Sequence, residues 1–320
     1  MEYVPGQRLL DCWEDMGVPQ KTTTAKDLAR AMAEMFTVTA SHCGSILRDL
    51  SLDDSERSLR YEPSTVDAFV VDAPVVDVDA PNEAHIDGDF LIGPVNDLVF
   101  LTHTKSVPAS LCGPFTTERA FLEAIGYRRE YGGTKVISKF HRWPIERMFE
   151  IYDIIRPLYA PQIDPSAPFH FAHADLSAAN LLVDPKSGKI TGLVDWEMAG
   201  FRPAWLCATS GTWFNDDPCR FVVFDQQDGP DGYGDDTETE VVLRQVFLDE
   251  LKAHNPILLE HNRKGVELRA MFHNLCHEYV QNTKAWITQY EKYEWDATRR
   301  GRFPFDMQTW RDDLLDLYTK

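Results

Sequence analysis

Phe171-Ala-His-Ala-Asp-Leu-Ser-Ala-Ala-Asn-Leu-Leu-Val-Asp-Pro-Lys-Ser-Gly-Lys-Ile-Thr-Gly-Leu-Val-Asp-Trp-Glu197 is the segment of this 320-residue chain in which polar groups, turn signals and short apolar runs alternate at a spacing that points to chemistry. His173 and Asp175 fall in a polar turn, and Asn180 follows five residues after Asp175. Leu181-Leu182-Val183 reads as a strand, Pro185-Lys186-Ser187-Gly188 as a turn, and Ile190 to Val194 as a second strand. A hairpin of this length returns Asp195 to the neighbourhood of Asn180, so three oxygen-bearing groups converge at one end of it.

Transfer of a phosphoryl group needs such a set. A carboxylate orients the attacking hydroxyl and accepts its proton, and oxygen ligands hold magnesium against the phosphates. An Asp, an Asn five residues later and an Asp beyond a hairpin meet that requirement. One Asp alone reads as a cap or turn residue, and one His as a hydrogen-bonded structural group. The joint pattern carries the argument.

Outward from this segment, the chain divides by composition. Residues 1–19 read as an extended piece, a Pro5-Gly6 turn and a short amphipathic stretch around Leu9, Leu10 and Trp13. From Thr22 to about Thr37, Leu28, Ala31, Met32, Met35 and Phe36 fall at helical spacing, with threonines as N-cap candidates. Residues 51–112, rich in Asp, Val, Pro and Ser, read as a long irregular insert, with short strands or extended loops at Phe69–Val71, Val75-Val76 and Leu98–Leu101. Helical periodicity returns at Thr116–Tyr127 and Ile145–Arg156, the latter bounded by Pro144 and Pro157. From about Asp236 the chain reads as long helices over 237–254, 264–292 and 307–318.

A formal charge of −19 opposes broad contact with nucleic acid, whose phosphates it would repel. No apolar run approaches the roughly 20 residues that cross a bilayer, and the N-terminus lacks the pattern of a signal peptide. The six cysteines are scattered, with no Cys-x-x-Cys pair, which favours reduced thiols and the cytoplasm.

His173-Ala-Asp-Leu-x-x-x-Asn180 followed by Ile190-x-Gly-Leu-Val-Asp195-Trp-Glu197 resembles the aminoglycoside phosphotransferase family, especially its fungal-type members. Gly200-Phe-Arg-Pro-Ala-Trp205, Gly113-Pro-Phe115 and Met1-Glu-Tyr-Val-Pro-Gly6 resemble further pieces of that family: the segment after the metal-binding Asp, a turn before a helix, and the linker between the two lobes. The resemblance implies an α+β, mainly α, protein-kinase-like C-lobe with a small catalytic β-hairpin, and a small-molecule kinase using ATP and Mg2+ on a hydroxyl-bearing substrate. It implies Asp175 as catalytic base, with His173 fixing the turn, and Asn180 and Asp195 on magnesium. It further implies Glu197 near a second metal or a cationic substrate, Leu182 and Val194 as the floor beneath adenine, and the backbone of Glu2, Tyr3 and Val4 along the adenine edge. On this reading residues 1–320 are one C-lobe: linker 1–19, catalytic and metal-binding segment 171–206, helical substrate-side part 236–320. The N-terminal ATP-clamping lobe, with its phosphate loop and Lys, is expected to be absent or truncated. The alternative is a pseudokinase serving as a binding or scaffold module. The sequence leaves substrate and oligomeric state open.

Other signals are weaker. Asp77-Val78-Asp79 after Val75-Val76 is the ordinary alternation of an exposed strand rather than a phosphatase nucleophile. Asp87-Gly88-Asp89 and the 225–236 loop do not match the spacing of an EF-hand. His273 and His277 share a helical face, but Asn274 stands where a zincin needs Glu.

Overall fold

Short apolar runs separated by turns make antiparallel strands, and nine of them are present in the computed structural model, which describes residues 4–48, 84–86, 90–96, 111–128, 145–150, 152–153, 156, 168–208 and 238–276. In chain order they are β1 (Gln7–Arg8), β2 (Thr39–Ala40), β3 (Gly44–Arg48), β4 (Ala84–Ile86), β5 (Phe90–Gly93), β6 (Phe169–Ala172), β7 (Leu181–Val183), β8 (Ile190–Leu193) and β9 (Gly200–Pro203). They form two antiparallel sheets, of order β1-β7-β8 and β2-β6-β9-β3-β5-β4. The expected hairpin is β7–β8, pairing Leu181 with Leu193 and Leu182 with Gly192.

The six-stranded sheet is more strand than the sequence reading contains. Part of the stretch read as an irregular insert is ordered within it: β5 pairs with β3 from Ser45↔Gly93 to Arg48↔Phe90, and β4 pairs with β5. The fold among the described residues is mixed helix and antiparallel sheet, in line with the α+β expectation, with a six-stranded sheet beyond the single hairpin expected. The strands proposed at Phe69–Val71, Val75-Val76 and Leu98–Leu101 lie outside the described residues.

Helix Val18–Phe36 buries Ala25, Leu28, Ala29, Met32, Ala33 and Phe36, a three-to-four spacing that forms one apolar stripe. The threonines do not cap it. Gly17 occupies the N-cap without a side-chain bond and Pro19 sits in the first turn, where its missing N–H has no partner to lose. Thr24 instead lies one and a half turns in, where its hydroxyl donates to the carbonyls of Gln20 and Gly188. The stripe packs against helix Glu238–His254 through Leu243, Phe247 and Leu251, and with Leu181 and Val183 of the hairpin this forms one core. The second core gathers Phe121, Phe149, Phe169, Phe201, Trp205 and Phe272 beneath the six-stranded sheet.

The helix expected over 264–292 is present as Val266–Cys276, beyond which the chain lies outside the described residues, and it is preceded by a helix that the sequence reading does not contain. Pro256–Lys264 is a helix of its own, begun by Asn255, whose side chain accepts from Leu258 N at 3.0 Å. Gly265 separates it from Val266–Cys276, in a place where a Cβ would stand 2.6 Å from both the His261 carbonyl and the Trp205 Cβ. The 307–318 stretch lies outside the described residues, as do the side chains of His273 and His277. No described helix is long and apolar enough to cross a membrane.

Candidate active site

The β7–β8 hairpin is built to hold its turn rigid. Asp184 accepts from Lys186 N and from the Ser187 hydroxyl, Gly188 N donates to the Asp184 carbonyl at 2.7 Å, and Gly188 takes a φ of 75°. Helix Val18–Phe36 then pins the turn from outside. The Thr24 hydroxyl donates to Gly188 O at 2.7 Å, Ile190 N donates to the Asp27 carboxylate at 3.2 Å, and a Cβ on Gly188 would strike the Gln20 carbonyl. The strands leaving this turn carry Asn180 at one end and Val194 at the other.

These two ends meet. Val194 N donates to the Asn180 carbonyl at 3.0 Å, so the residue before Asp195 is fixed to the residue before Leu181. The Asn180 side chain, buried to 8% exposure, donates through Nδ2 to both the Asp175 carbonyl and its carboxylate Oδ2, each at 2.9 Å. Because both partners are acceptors, the amide orientation follows, and Oδ1 remains as an oxygen donor for a cation. Two of these hydrogen bonds join Asn180 to Asp175, and the third places Asn180 beside Val194, the residue before Asp195.

His173 is buried beneath this junction. Its Nε2 lies 2.9 Å from the Val194 carbonyl and therefore carries the proton, while Nδ1 has no hydrogen-bond partner among the described residues. Burial lowers its pKa. The Val194 carbonyl and the charges of Asp175 and Asp195 work against that shift without reversing it. A neutral imidazole ties the Asp175 turn to the strand leading to Asp195. Trp196 covers it at 4.5 Å between ring centroids and stacks on Phe171.

Two residues here take left-handed backbone without being glycine: Ala174 at φ 64° and Asp195 at φ 66°. Such a conformation costs a residue with a Cβ roughly 1–2 kcal/mol, and such strain clusters at functional sites. At Asp195 it turns the chain abruptly from β8 into the 3-10 turn Trp196–Met198. Ala174→Gly removes the Cβ penalty at an exposed position and adds the unfolded-state entropy of glycine, roughly 0.5–1 kcal/mol. A net stabilisation of about 0.5–1 kcal/mol is expected, read as a rise in the denaturation midpoint.

Val4 and Leu182 are brought together over one glycine. A Cβ on Gly192 would lie 2.6 Å from Val4 Cγ1 and 3.9 Å from Leu182 Cδ1, so the N-terminal strip lies across the hairpin at an uncovered backbone position. Pairing of β1 with β7, Gln7 to Val183 and Arg8 to Leu182, holds it there. Val194 is half-buried, and Glu2 and Tyr3 lie outside the described residues. Asp195 and Glu197 are exposed. No cluster of three or more His, Cys, Asp or Glu side chains occurs among the described residues. The donor set is an amide oxygen and a carboxylate, hard oxygen ligands that suit Mg2+, which keeps several waters and takes few protein groups.

Sequence reasoning missed two residues that hold this site. Asn96 donates to the Glu197 carbonyl at 2.5 Å from the other end of the chain's longest excursion, and no motif marks it. Arg202 was in view within Gly200–Trp205 but without a role, and its guanidinium is buried against the carbonyls of Met198, Phe201 and Gly44. A buried arginine is the signal that could have been read, since such a charge stays inside only when it is hydrogen-bonded.

The model of the phosphotransferase enzyme family, APH, matches residues 1–206, more than half of the chain and all of the site described. No curated protein and no solved structure matches.

Proposed function

The chain belongs to the phosphotransferase enzyme family, and on that premise we propose that it transfers the γ-phosphoryl group of ATP to a hydroxyl of a small molecule. One observation carries the reading: the Asn180 side chain donates to the backbone and carboxylate of Asp175, while the Asn180 backbone carbonyl accepts from Val194 N, the residue before Asp195.

Asp175 is assigned as the base. Its carboxylate takes the proton of the substrate hydroxyl as that oxygen bonds to the γ-phosphorus and the bond to the ADP oxygen breaks. Asn180 Nδ2, aimed at Asp175 Oδ2, fixes which carboxylate oxygen faces the substrate. Asn180 Oδ1 and the Asp195 carboxylate are assigned to Mg2+, with Glu197 beside them. Bound there, the ion neutralises negative charge on the phosphate oxygens. His173, neutral and buried, keeps Asp175 and Asp195 in register through the Val194 carbonyl. The apolar pair Val4 and Leu182, with Val194, is assigned to the adenine ring, and the Glu2–Val4 backbone to its edge. A reducing cytosol suits the ATP requirement and the scattered cysteines.

A ligand that binds only the folded state stabilises it by RT ln(1 + [L]/Kd), about 2.7 kcal/mol at a hundredfold excess over Kd. Thermal denaturation is expected to shift upward when ATP and Mg2+ are both present, and much less with either alone. Asp195→Ala is expected to abolish the joint shift. A wild-type chain that shows no joint shift overturns the kinase assignment.

A further inference from the structure

Glu197 and Met198, the two residues that follow Asp195-Trp196, have their carbonyls gripped by donors from outside the hairpin. Asn96 Nδ2 donates to Glu197 O at 2.5 Å, and Arg202 donates to Met198 O at 3.1 Å. The two grips lead to adjacent residues of β3. Asn96 N donates to the Ser45 hydroxyl at 2.8 Å, and the Arg202 guanidinium, 1% exposed, also donates to Gly44 O at 3.3 Å. Ser45 is itself buried, and its neighbours in the ladder, Gly200 and Gly93, leave no room for sliding: a Cβ on Gly200 would lie 2.3 Å from the Gly44 carbonyl. A third tie, Trp196 Nε1 to Leu193 O at 2.8 Å, closes the turn on its own strand.

The bracket has a physical purpose. Asp195 stands at φ 66°, in backbone that a non-glycine residue leaves when it is allowed to. Its side chain is exposed, so packing does not hold it. What holds it is the pair of carbonyls two and three residues on. We propose that Asn96 is a positioning residue for Asp195: by clamping the Glu197 carbonyl to β3, it keeps the strained turn in the conformation that presents the Asp195 carboxylate to a divalent cation. Arg202 is the buried half of the same bracket. The ordered strands β4 and β5 and the segment after them thereby serve the site, since they deliver Asn96 to it from 101 residues away in sequence. This inference rests on the assignment of Asp195 as a cation ligand.

Groups that orient metal ligands typically change metal affinity 10–100-fold when removed. The test is Mn2+ binding to the full chain, followed by electron paramagnetic resonance with and without ATP. Hydrogen exchange at the Ala199 amide, which donates to Trp196 O across the turn, runs alongside. Asn96→Ala is expected to weaken Mn2+ binding about tenfold and to speed Ala199 exchange, while the melting temperature of the unliganded protein stays close to wild type, because water replaces the lost donor at this exposed carbonyl. Ser45→Ala, which removes the hydroxyl holding Asn96, is expected to give a smaller loss of the same kind and keeps the question answerable if Asn96→Ala does not fold. A lower melting temperature with unchanged Mn2+ affinity in the folded fraction of both variants overturns the positioning role and leaves the kinase reading standing. A wild-type chain that does not bind Mn2+ under either condition overturns both together.

Discussion

Asp175→Ala is expected to lower kcat about a thousandfold while leaving the protein folded and its Mg·ATP affinity close to wild type. A positioned general base contributes typically 10²–10⁴ in rate, so its removal is expected to fall in that range. The fold should tolerate the change because Asp175 is only half-buried, and because Asn180 Nδ2 bonds the backbone carbonyl of residue 175 as well as its carboxylate. The first of those bonds survives truncation, so Asn180 stays in place and its Oδ1 remains available. The contrast with Asp195→Ala is the useful part. There the shift on adding Mg2+ and ATP should vanish along with turnover, because the proposed function assigns the lost group to the cation rather than to the proton. Steady-state kinetics with a competent hydroxyl substrate, together with the thermal shift, separates the two roles. If Asp175→Ala turns over within tenfold of wild type, it is not the base.

The parts of the site that were legible in sequence are those whose geometry is local. Asn180 is the fifth residue after Asp175, and a hairpin with a recognisable turn returns Val194 to Asn180, so turn chemistry and strand length are enough to bring them together. The contact of Val4 with Gly192 was not foreseen: the family resemblance set the Glu2–Val4 strip along the adenine edge, and no local signal reaches across so many residues. Illegible were the contacts made by strands too short to show a period. β2 is two residues long and β4 three, and both sit beside segments whose composition reads as loop. Their sheet is assembled from pairs such as Gly44↔Phe201 and Ala40↔Phe169, in which neither partner predicts the other. Asn96 was invisible for the same reason. The helix Pro256–Lys264 was missed for its shortness: it ends at Gly265, where the Trp205 side chain approaches so closely that only glycine fits.

His261 illustrates the limit of reading residues singly, and it carries the second large prediction. In sequence it is one histidine between two predicted helices, 237–254 and 264–292. In the structure it is 2% exposed, its Nε2 has no hydrogen-bond partner among the described residues, and it lies 5.6 Å from Phe36 and 6.3 Å from His170 between ring centroids. Burial pushes its pKa down to about 3. His170 adds to the effect, as do the cations Arg156, Arg269 and Lys264. His170, stacked on Phe36 and donating to its carbonyl, is shifted down as well, again by burial. The consequence for stability has a definite sign. Above the unfolded pKa of about 6.5 both states are neutral and the group contributes nothing. Between about 6.5 and 3 the unfolded chain binds a proton that the folded chain refuses, so stability rises with pH across this window by about 1.4 kcal/mol per unit for His261 alone. Acidification from pH 7 to 5 is therefore expected to cost about 2 kcal/mol through this one residue. His261→Gln, neutral at every pH, should lose a little stability at pH 8 and flatten the acid limb by one proton, measured as urea midpoints across pH 4–8. An acid limb of unchanged slope in that variant locates the acid sensitivity elsewhere and overturns the assignment. The same burial that makes the group costly to protonate explains its place: His261 and His170 flank Phe36, the last residue of the helix whose other end pins the β7–β8 hairpin, so loss of that contact in acid is expected to loosen the hairpin before the second core.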